Sequence, residues 1–251
     1  FSLVGPSILS VLVMVIYNMT DLFFINLLQD TAQTAAVSVV SPVFTLASAG
    51  ATVLGMGGCA AAASSLGAGD KQDVRTVSSL CGWCAILVGA VLAVVLNLGC
   101  VPLLGMLGAN AEILPHAAAY LRILALGTPA MLFSVSAAAL LRADGAIRRG
   151  LVGNLAGSVT NMVLDPLFIL VFGWGIAGAA AATVLGNLVA CAIYLDYILR
   201  RSQALSLAPA DALRRPARLG RVLALGLPNG VSSLLAGLAG SFSNRMLAGY
   251  G

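Results

Sequence analysis

The sequence predicts an all-α integral membrane protein: a six-helix transmembrane bundle followed by one further helix. Three observations carry the prediction. The chain is 60% hydrophobic and 9% charged, with a mean hydropathy of +1.01, whereas a soluble domain carries about 25% charged residues. Its apolar runs are long and unbroken, as in "CAILVGAVLAVVLNLGCV" (84–101); the strands of a membrane barrel would alternate polar and apolar positions. Small residues are abundant, as expected where membrane helices pack closely.

Runs long enough to span a bilayer, about 20 residues or more, fall at 2–28, 35–66, 74–104, 112–141, 149–172, 175–199 and 219–248. The first holds Pro6 near its start and one acid, Asp21, near its far end. The second ends in the polar, glycine-rich "LGAGDKQDVR" (66–75). The third stops before "LGANAEIL" (107–114), a short turn with a helix start. The fourth runs into the basic stretch "RADGAIRRG" (142–150). The fifth closes on "FGWGIAG" (172–178), a tight glycine turn with Trp174 at the interface. The sixth meets the longest polar stretch, "RRSQALSLAPADALRRPARLGR" (200–221), and the seventh comes after it. Neighbouring helices of one bundle are usually joined by about 2–8 residues, so the seventh is expected to stand apart from the first six. The chain opens at Phe1 without a charged n-region or small-residue cleavage site, and reads as a piece of a longer protein.

Charge placement predicts topology. Every Lys and Arg except Arg122 and Arg245 falls in alternate loops: Lys71, Arg75, Arg142, Arg148, Arg149, Arg200, Arg201, Arg214, Arg215, Arg218 and Arg221. The positive-inside rule makes those loops, near 70, 145 and 210, cytoplasmic. Asp30 and Glu112 lie in the opposite loops. The net charge of +4 is thus a membrane signal, and nucleic acid is not expected as a partner of so apolar a chain.

Within the spans, Asp165 is the residue hardest to explain as structure. Burying a carboxylate there costs roughly 2.5–3.5 kcal/mol on insertion scales. Asn161 stands four residues earlier, on the same helix face. Pro166 comes next, removing a backbone N–H and freeing the carbonyl of Met162. Asp21 and Asp165 each stand seven residues before an outer helix end, and Thr183 seven past one, about 10 Å of helix. Asn187 shares the Thr183 face, and Asn18 the Asp21 face. Tyr17, one turn before Asp21, lines a cavity or packs. Two carboxylates at one depth raise a pKa or attract a cation, and oxygen donors suit hard cations. Asn161 and Thr183 tilt the balance toward Na+, while apolar surroundings keep H+ open. Arg122 or Arg245 as a partner of either acid is the competing reading.

Other patterns read as packing. Cys81 and Cys84 form "CGWC", which would suggest redox chemistry in a soluble α/β protein, but here they are two small apolar residues on one helix face. "GMGG" (55–58) and "GNLAG" (153–157) are close-packing surfaces rather than phosphate loops. "VGPSILSVL" (4–12) is echoed by "LGLPNGVSSLL" (225–235), placing Pro6 opposite Pro228, as in the parallel repeats of transporters.

Several pieces then fall in one order: "GP" (5–6) with Asp21 beyond it, "GAGD" (67–70), "LGA" (107–109) followed by Tyr120, "LRADG" (141–145), Asn161 with Asp165, and "GWGIAGAAAAT" (173–183). In this combination the chain resembles the multidrug and toxic compound extrusion (MATE) family. The resemblance implies twelve helices in two six-helix lobes around a central cavity, and antiport of cations against drugs. Residues 1–199 would be the amino-terminal lobe, 200–218 a cytoplasmic linker and 219–251 the first, truncated helix of the second lobe. The family's amino-lobe ion ligands match Asp21, Asn161, Asp165 and Thr183. An asparagine that some members carry on helix four has no counterpart: Val135 stands near that place, between Ser134 and Ser136. Pro6 matches the proline at which helix one bends, and "GLP" (226–228) with Asn244 fits the seventh helix.

The expectation is therefore a cation-coupled multidrug efflux antiporter of the cell membrane. It needs no cofactor beyond a coupling ion, Na+ or H+, held as a metal site by those four residues in the Na+ case. Pro6, Tyr17, Asn18 and Asn187 would line a cavity or bend a helix. Its partners would be drug-like small molecules, membrane lipid and its own carboxy-terminal lobe, and the complete protein would be a monomer. The alternatives are a lipid-linked precursor flippase of the related exporter superfamily, which would want cations lining the cavity, and an intramembrane enzyme. The enzyme would need a nucleophile–base pair or metal ligands, and the single histidine, His116, sits near a loop.

Overall fold

The computed structural model describes residues 30–248 and, before them, Leu12, Val13, Val15, Ile16, Met19, Thr20, Phe23 and Phe24, all eight helical; for Leu238 and residues 241–248 it describes the backbone alone. Pro6, Tyr17, Asn18 and Asp21 lie outside the described residues.

Helix α1 (Thr31–Gly67) opens at Asp30, whose carboxylate accepts from the backbone N–H groups of Ala32 (3.0 Å) and Gln33 (3.3 Å). Two orphan donors of the first turn are thereby satisfied. Helix α2 (Lys71–Leu98) is capped in the same way by Asp70, which accepts from the N–H of Asp73 at 3.0 Å. The span expected at 74–104 is in fact two helices: α2 stops at Gly99 and a short α3 (Cys100–Met106) begins at once. Pro102 is the physical reason. It has no N–H for the carbonyl four residues back, that of Leu98, so the ladder breaks there.

Helix α4 (Leu114–Ala143) is the axis of the bundle: it packs against α1, α2 and α6, and Leu121, Leu124, Leu132, Leu140 and Leu141 along it are all buried. Helix α5 (Ile147–Pro166) carries Pro166 at its end and passes into a π-helical turn, Leu167–Val171. The N–H of Phe172 reaches back five residues to the carbonyl of Leu167, at 2.9 Å. The wider turn begins directly after the proline, which lacks the N–H that would continue the α-helical ladder. The turn to α6 (Ile176–Arg200) uses positive φ at Gly173 (68°) and Gly175 (57°), where a side chain would be strained. Phe168, Phe172 and Trp174 pack against one another there, with ring centroids 5.2–5.8 Å apart.

Among the described residues six helices are long and apolar enough to cross a bilayer: Thr31–Gly67, Lys71–Leu98, Leu114–Ala143, Ile147–Val171, Ile176–Arg200 and Arg218–Gly237. The protein is a multi-pass membrane protein. Its outer faces stay apolar, as on α2 (Leu87, Val91, Val94 and Leu98) and α5 (Val152, Val159 and Val163). The interior holds two apolar clusters. The larger joins Leu54, Val77, Leu132, Leu140 and Tyr194; the smaller, toward the other end, joins Val40, Leu104, Leu121, Ile169 and Ile176.

The connection 200–221 is more ordered than a linker of its composition suggests. Ala204 and Leu205 are buried in the larger cluster, and a short helix α7 (Pro209–Arg214) precedes the last helix, α8 (Arg218–Ala248). Helix α8 does not stand clear of the others. It lies along α1, where the backbones of Gly226 and Val53 meet, and those of Gly57 and Val222. Small residues let helices approach this closely. Helix α8 flanks the bundle at α1, with a smaller contact to α2, and does not enter its middle.

Candidate cation site

The site begins with the way α5 and α6 cross. A Cβ added to Gly157 would lie 2.8 Å from the carbonyl oxygen of Gly186, and one added to Gly186 would lie 2.6 Å from that of Gly157. Only glycine on both helices permits this approach. One turn above the crossing, Asn161 of α5 faces Thr183 of α6. The start of α6 is fixed from a distance by Gln33 of α1: its Oε1 accepts from the N–H of Ile176 at 3.1 Å, and its Nε2 donates to Asp30 at 2.9 Å.

Asp165 is fully buried at 0% exposure and Asn161 nearly so at 2%. The hydrogen-bond network assigns the orientation of the Asn161 amide. Its Nδ2 donates to Asp165 Oδ2 at 3.0 Å, and its Oδ1 accepts from the N–H of Thr183 at 3.1 Å and from Thr183 Oγ1 at 3.2 Å. The opposite orientation would press the amide oxygen against the carboxylate. Three of the four expected ligands are thus in contact, with Asn161 as the bridge. The fourth, Asp21, lies outside the described residues.

A cavity of about 130 Å³ opens beside this cluster, with Ser134, Asn154, Ser158, Asn161, Thr183 and Asn187 among its walls. Its polarity follows from spacing. Asn154, Ser158, Asn161 and Asp165 recur every three or four residues along one face of α5. On α6, Thr183 and Asn187 fall between Ala179 of one apolar cluster and Ala190 of the other. Asn187 lines the cavity but spends its Nδ2 on the carbonyl of Thr183, at 3.0 Å. Toward the basic loops the polar face ends at Tyr194, fully buried, whose hydroxyl lies 3.1 Å from the Gly150 carbonyl and 3.0 Å from Asn154 Oδ1.

Sequence reasoning did not single out Asn154, Ser158 or Tyr194. The helical repeat of the first two with Asn161 was the available signal; Tyr194 gave none, because an aromatic residue near a helix end is ordinary. Ser134, named only as a neighbour of Val135, does reach the cavity. Arg122 is exposed on α4, and the side chain of Arg245 is not described. Cys81 is buried and touches Gly58, a packing role. "GMGG" and "GNLAG" likewise sit at close contacts: Gly55 against the backbone of Val135 and Ser136, and Gly153 under the ring of Tyr194.

The buried oxygens of a carboxylate and an amide with a half-buried hydroxyl, beside a polar cavity, are chemically suited to hold a hard monovalent cation, or to take up a proton on the carboxylate.

The family model described as MatE matches residues 6–167. The multidrug export protein MepA of Staphylococcus saprophyticus is 28% identical over 246 residues, which is 98% of this chain and 54% of that protein. A crystal structure of MATE in the straight conformation superposes with a TM-score of 0.88 at 28% identity, covering 98% of this chain and 55% of that one. A multidrug resistance MATE family transporter of the MOP superfamily, in an inward-facing conformation, gives a TM-score of 0.82 at 29% identity over 89% and 51% of the two chains. The chain spans about half the length of these relatives.

Proposed function

The chain belongs to the MatE family of transporters, and from that premise we propose that it is the amino-terminal lobe, 1–199, and the first helix of the second lobe, 219–251, of a cation-coupled multidrug efflux antiporter. The observation that carries the reading is Asp165, fully buried and joined through Asn161 to Thr183 beside a polar cavity. An intramembrane acid so placed is a functional residue by default. The fold alone would support any transported substrate.

In this reading a cation enters from outside and binds among Asp21, Asn161, Asp165 and Thr183. Its charge offsets that of the carboxylates, whose burial otherwise costs several kcal/mol per ion. The resulting change in packing shrinks the central cavity and releases the drug outward. The ion drives this only if it binds the two states unequally. Na+ and H+ both fit the donor set: the neutral oxygens of Asn161 and Thr183 favour Na+, and the apolar surroundings of Asp165 allow H+. No cofactor is needed. The basic loops near 70, 145 and 210 would be cytoplasmic and the protein would sit in the cell membrane, with drug-like molecules as substrates and the complete two-lobe chain acting as a monomer.

The lipid-flippase reading is less favoured. It calls for cations lining the central cavity, and of the 13 Lys and Arg only Arg122 and Arg245 fall outside the alternate loops. The deciding experiment is ion flux in liposomes holding the complete protein. Drug-dependent Na+ or H+ movement is expected, and its absence with every drug-like cation tried would reject antiport.

A further inference from the structure

Asp73 is, with Asp165, one of two buried acids among the described residues, and the proposed cation site does not use it. It sits in the first turn of α2 at 3% exposure. Its partners come from other elements. Ser65 Oγ of α1 donates to Oδ2 at 2.7 Å. Arg218 Nε, at the first residue of α8, stands 2.8 Å from Oδ1, and Arg215 lies 3.7 Å from the same oxygen. No donor hydrogen is aligned on Oδ1, so the arginines hold it by charge.

The chain ahead of those arginines is fastened to the six-helix side. Asp144 accepts from Tyr197 Oη at 2.9 Å and from Ser202 Oγ at 2.8 Å. Along α2, Ser78 Oγ accepts from the N–H of Ser206 (2.9 Å), Ser79 Oγ donates to the carbonyl of Ala208 (2.7 Å), and Trp83 Nε1 donates to that of Leu207 (3.0 Å). Residues 202–208 therefore belong to the first bundle. Helix α7 also lies on α2, with Ala212 buried and Gln72 Nε2 donating to Asp211 at 3.4 Å; the non-helical residues left to act as a hinge are Arg215, Pro216 and Ala217, and the Asp73–Arg218 pair reaches across them. Just beyond, Arg221 donates to Ser64 Oγ at 3.1 Å, and then the backbones of α1 and α8 meet at Gly57 and Val222.

We propose that Asp73 positions the last helix: paired with Arg218 and flanked by Arg215, it latches the start of α8 onto α1 and α2, closing the basic end of the seam between the two lobes, and the latch breaks each time that end opens. The proposal rests on the two-lobe reading above. The physical ground is that a buried carboxylate stripped of its cations is strongly disfavoured. The pair is a two-state element, made when the seam is closed and replaced by water when it opens. Asp73 touches no substrate in this scheme; it biases which state is populated.

The test uses the complete transporter with its native cysteines replaced. In the variant Ser64→Cys with Arg221→Cys, which leaves Asp73 in place, oxidation is expected to cross-link α1 to α8 and to stop drug efflux from cells, with recovery on reduction. Efflux that continues while the pair is cross-linked would overturn the proposal. A reporter cysteine at Val53, inside the seam, is read separately with a membrane-impermeant maleimide. Asp73→Asn is expected to speed its labelling from the basic side at least several-fold, while Arg218→Lys, which keeps the charge, leaves it slow. If Asp73→Asn does not fold, Arg218→Gln serves instead. Labelling unchanged in the charge-removing variant overturns the latch. Asp165→Asn in the same background is expected to leave cross-linking intact, so failure of the cation site and failure of the latch are read apart.

Discussion

Gly157 and Gly186 face each other backbone to backbone where α5 crosses α6, so that a Cβ on either would fall within 2.8 Å of the other's carbonyl oxygen. This contact, more than any polar one, sets the distance between Asn161 and Thr183. The close approach comes first and the hydrogen bonds depend on it.

Gly157→Ala should force the two helices apart. Overpacking a tight contact costs about 1–3 kcal/mol, and here the displacement also pulls Thr183 away from Asn161. Thermal unfolding in detergent should show a clear drop, together with reduced efflux. Gly50→Ala, on α1 with no atom near its added methyl, is the control and should unfold at or above the wild-type temperature.

Asp165→Asn keeps the size of the side chain and removes its charge. The fold should survive, because a neutral amide is cheaper to bury than a carboxylate. Coupled export should be lost. Cells carrying the variant that expel drug as well as wild type would remove Asp165 from the mechanism.

The coupling ion can be separated by condition. Efflux is measured at fixed pH with Na+ or with K+, and then across pH without Na+. Na+ dependence that disappears in Thr183→Ala, with an amide-retaining control such as Asn161→Gln partly active, would support a sodium site. Efflux driven by a pH gradient and indifferent to Na+ would assign a proton to the same carboxylate.

Topology follows from the placement of charge. Cysteines introduced at Asp70, Arg148 and Ala210 should react with an impermeant reagent from the cytoplasmic side only, and one at Asn110 from outside only. Outside labelling at Ala210 would invert the proposed orientation.

Asp30 offers a pH prediction outside the spans. Hydrogen bonds from the side chain and then the backbone of Gln33 hold its carboxyl below the ordinary value of 3.8. A lowered pKa contributes stability that is present above the unfolded value and is lost as pH falls through the folded one. The difference in thermal stability between wild type and Asp30→Ala should thus hold at neutral pH, begin to shrink below about pH 4 and disappear only on further acidification through the lowered folded pKa. A difference that persists unchanged at pH 2 would show that the cap does not act through its charge.

The sequence by itself determined the membrane class, the number and order of the long helices from α1 onward, the glycine turn before α6, and the choice of Asp165, Asn161 and Thr183 as candidates. It could do so because a bilayer leaves few options: apolar length sets a span, and an acid inside one has no ordinary explanation. The tertiary structure decided what lies between segments. The break at Gly99 depends on one proline within an apolar run, which hydropathy does not register. The cavity among α4, α5 and α6 depends on a glycine crossing, and sequence cannot tell which of many glycines meets which. The order of residues 202–208 and the pairing of Asp73 with Arg218 were hidden for a related reason. A polar, charged connection reads as solvated when its partners, Asp73, Ser78, Ser79 and Trp83, lie more than a hundred residues away along the chain and only the fold brings them together.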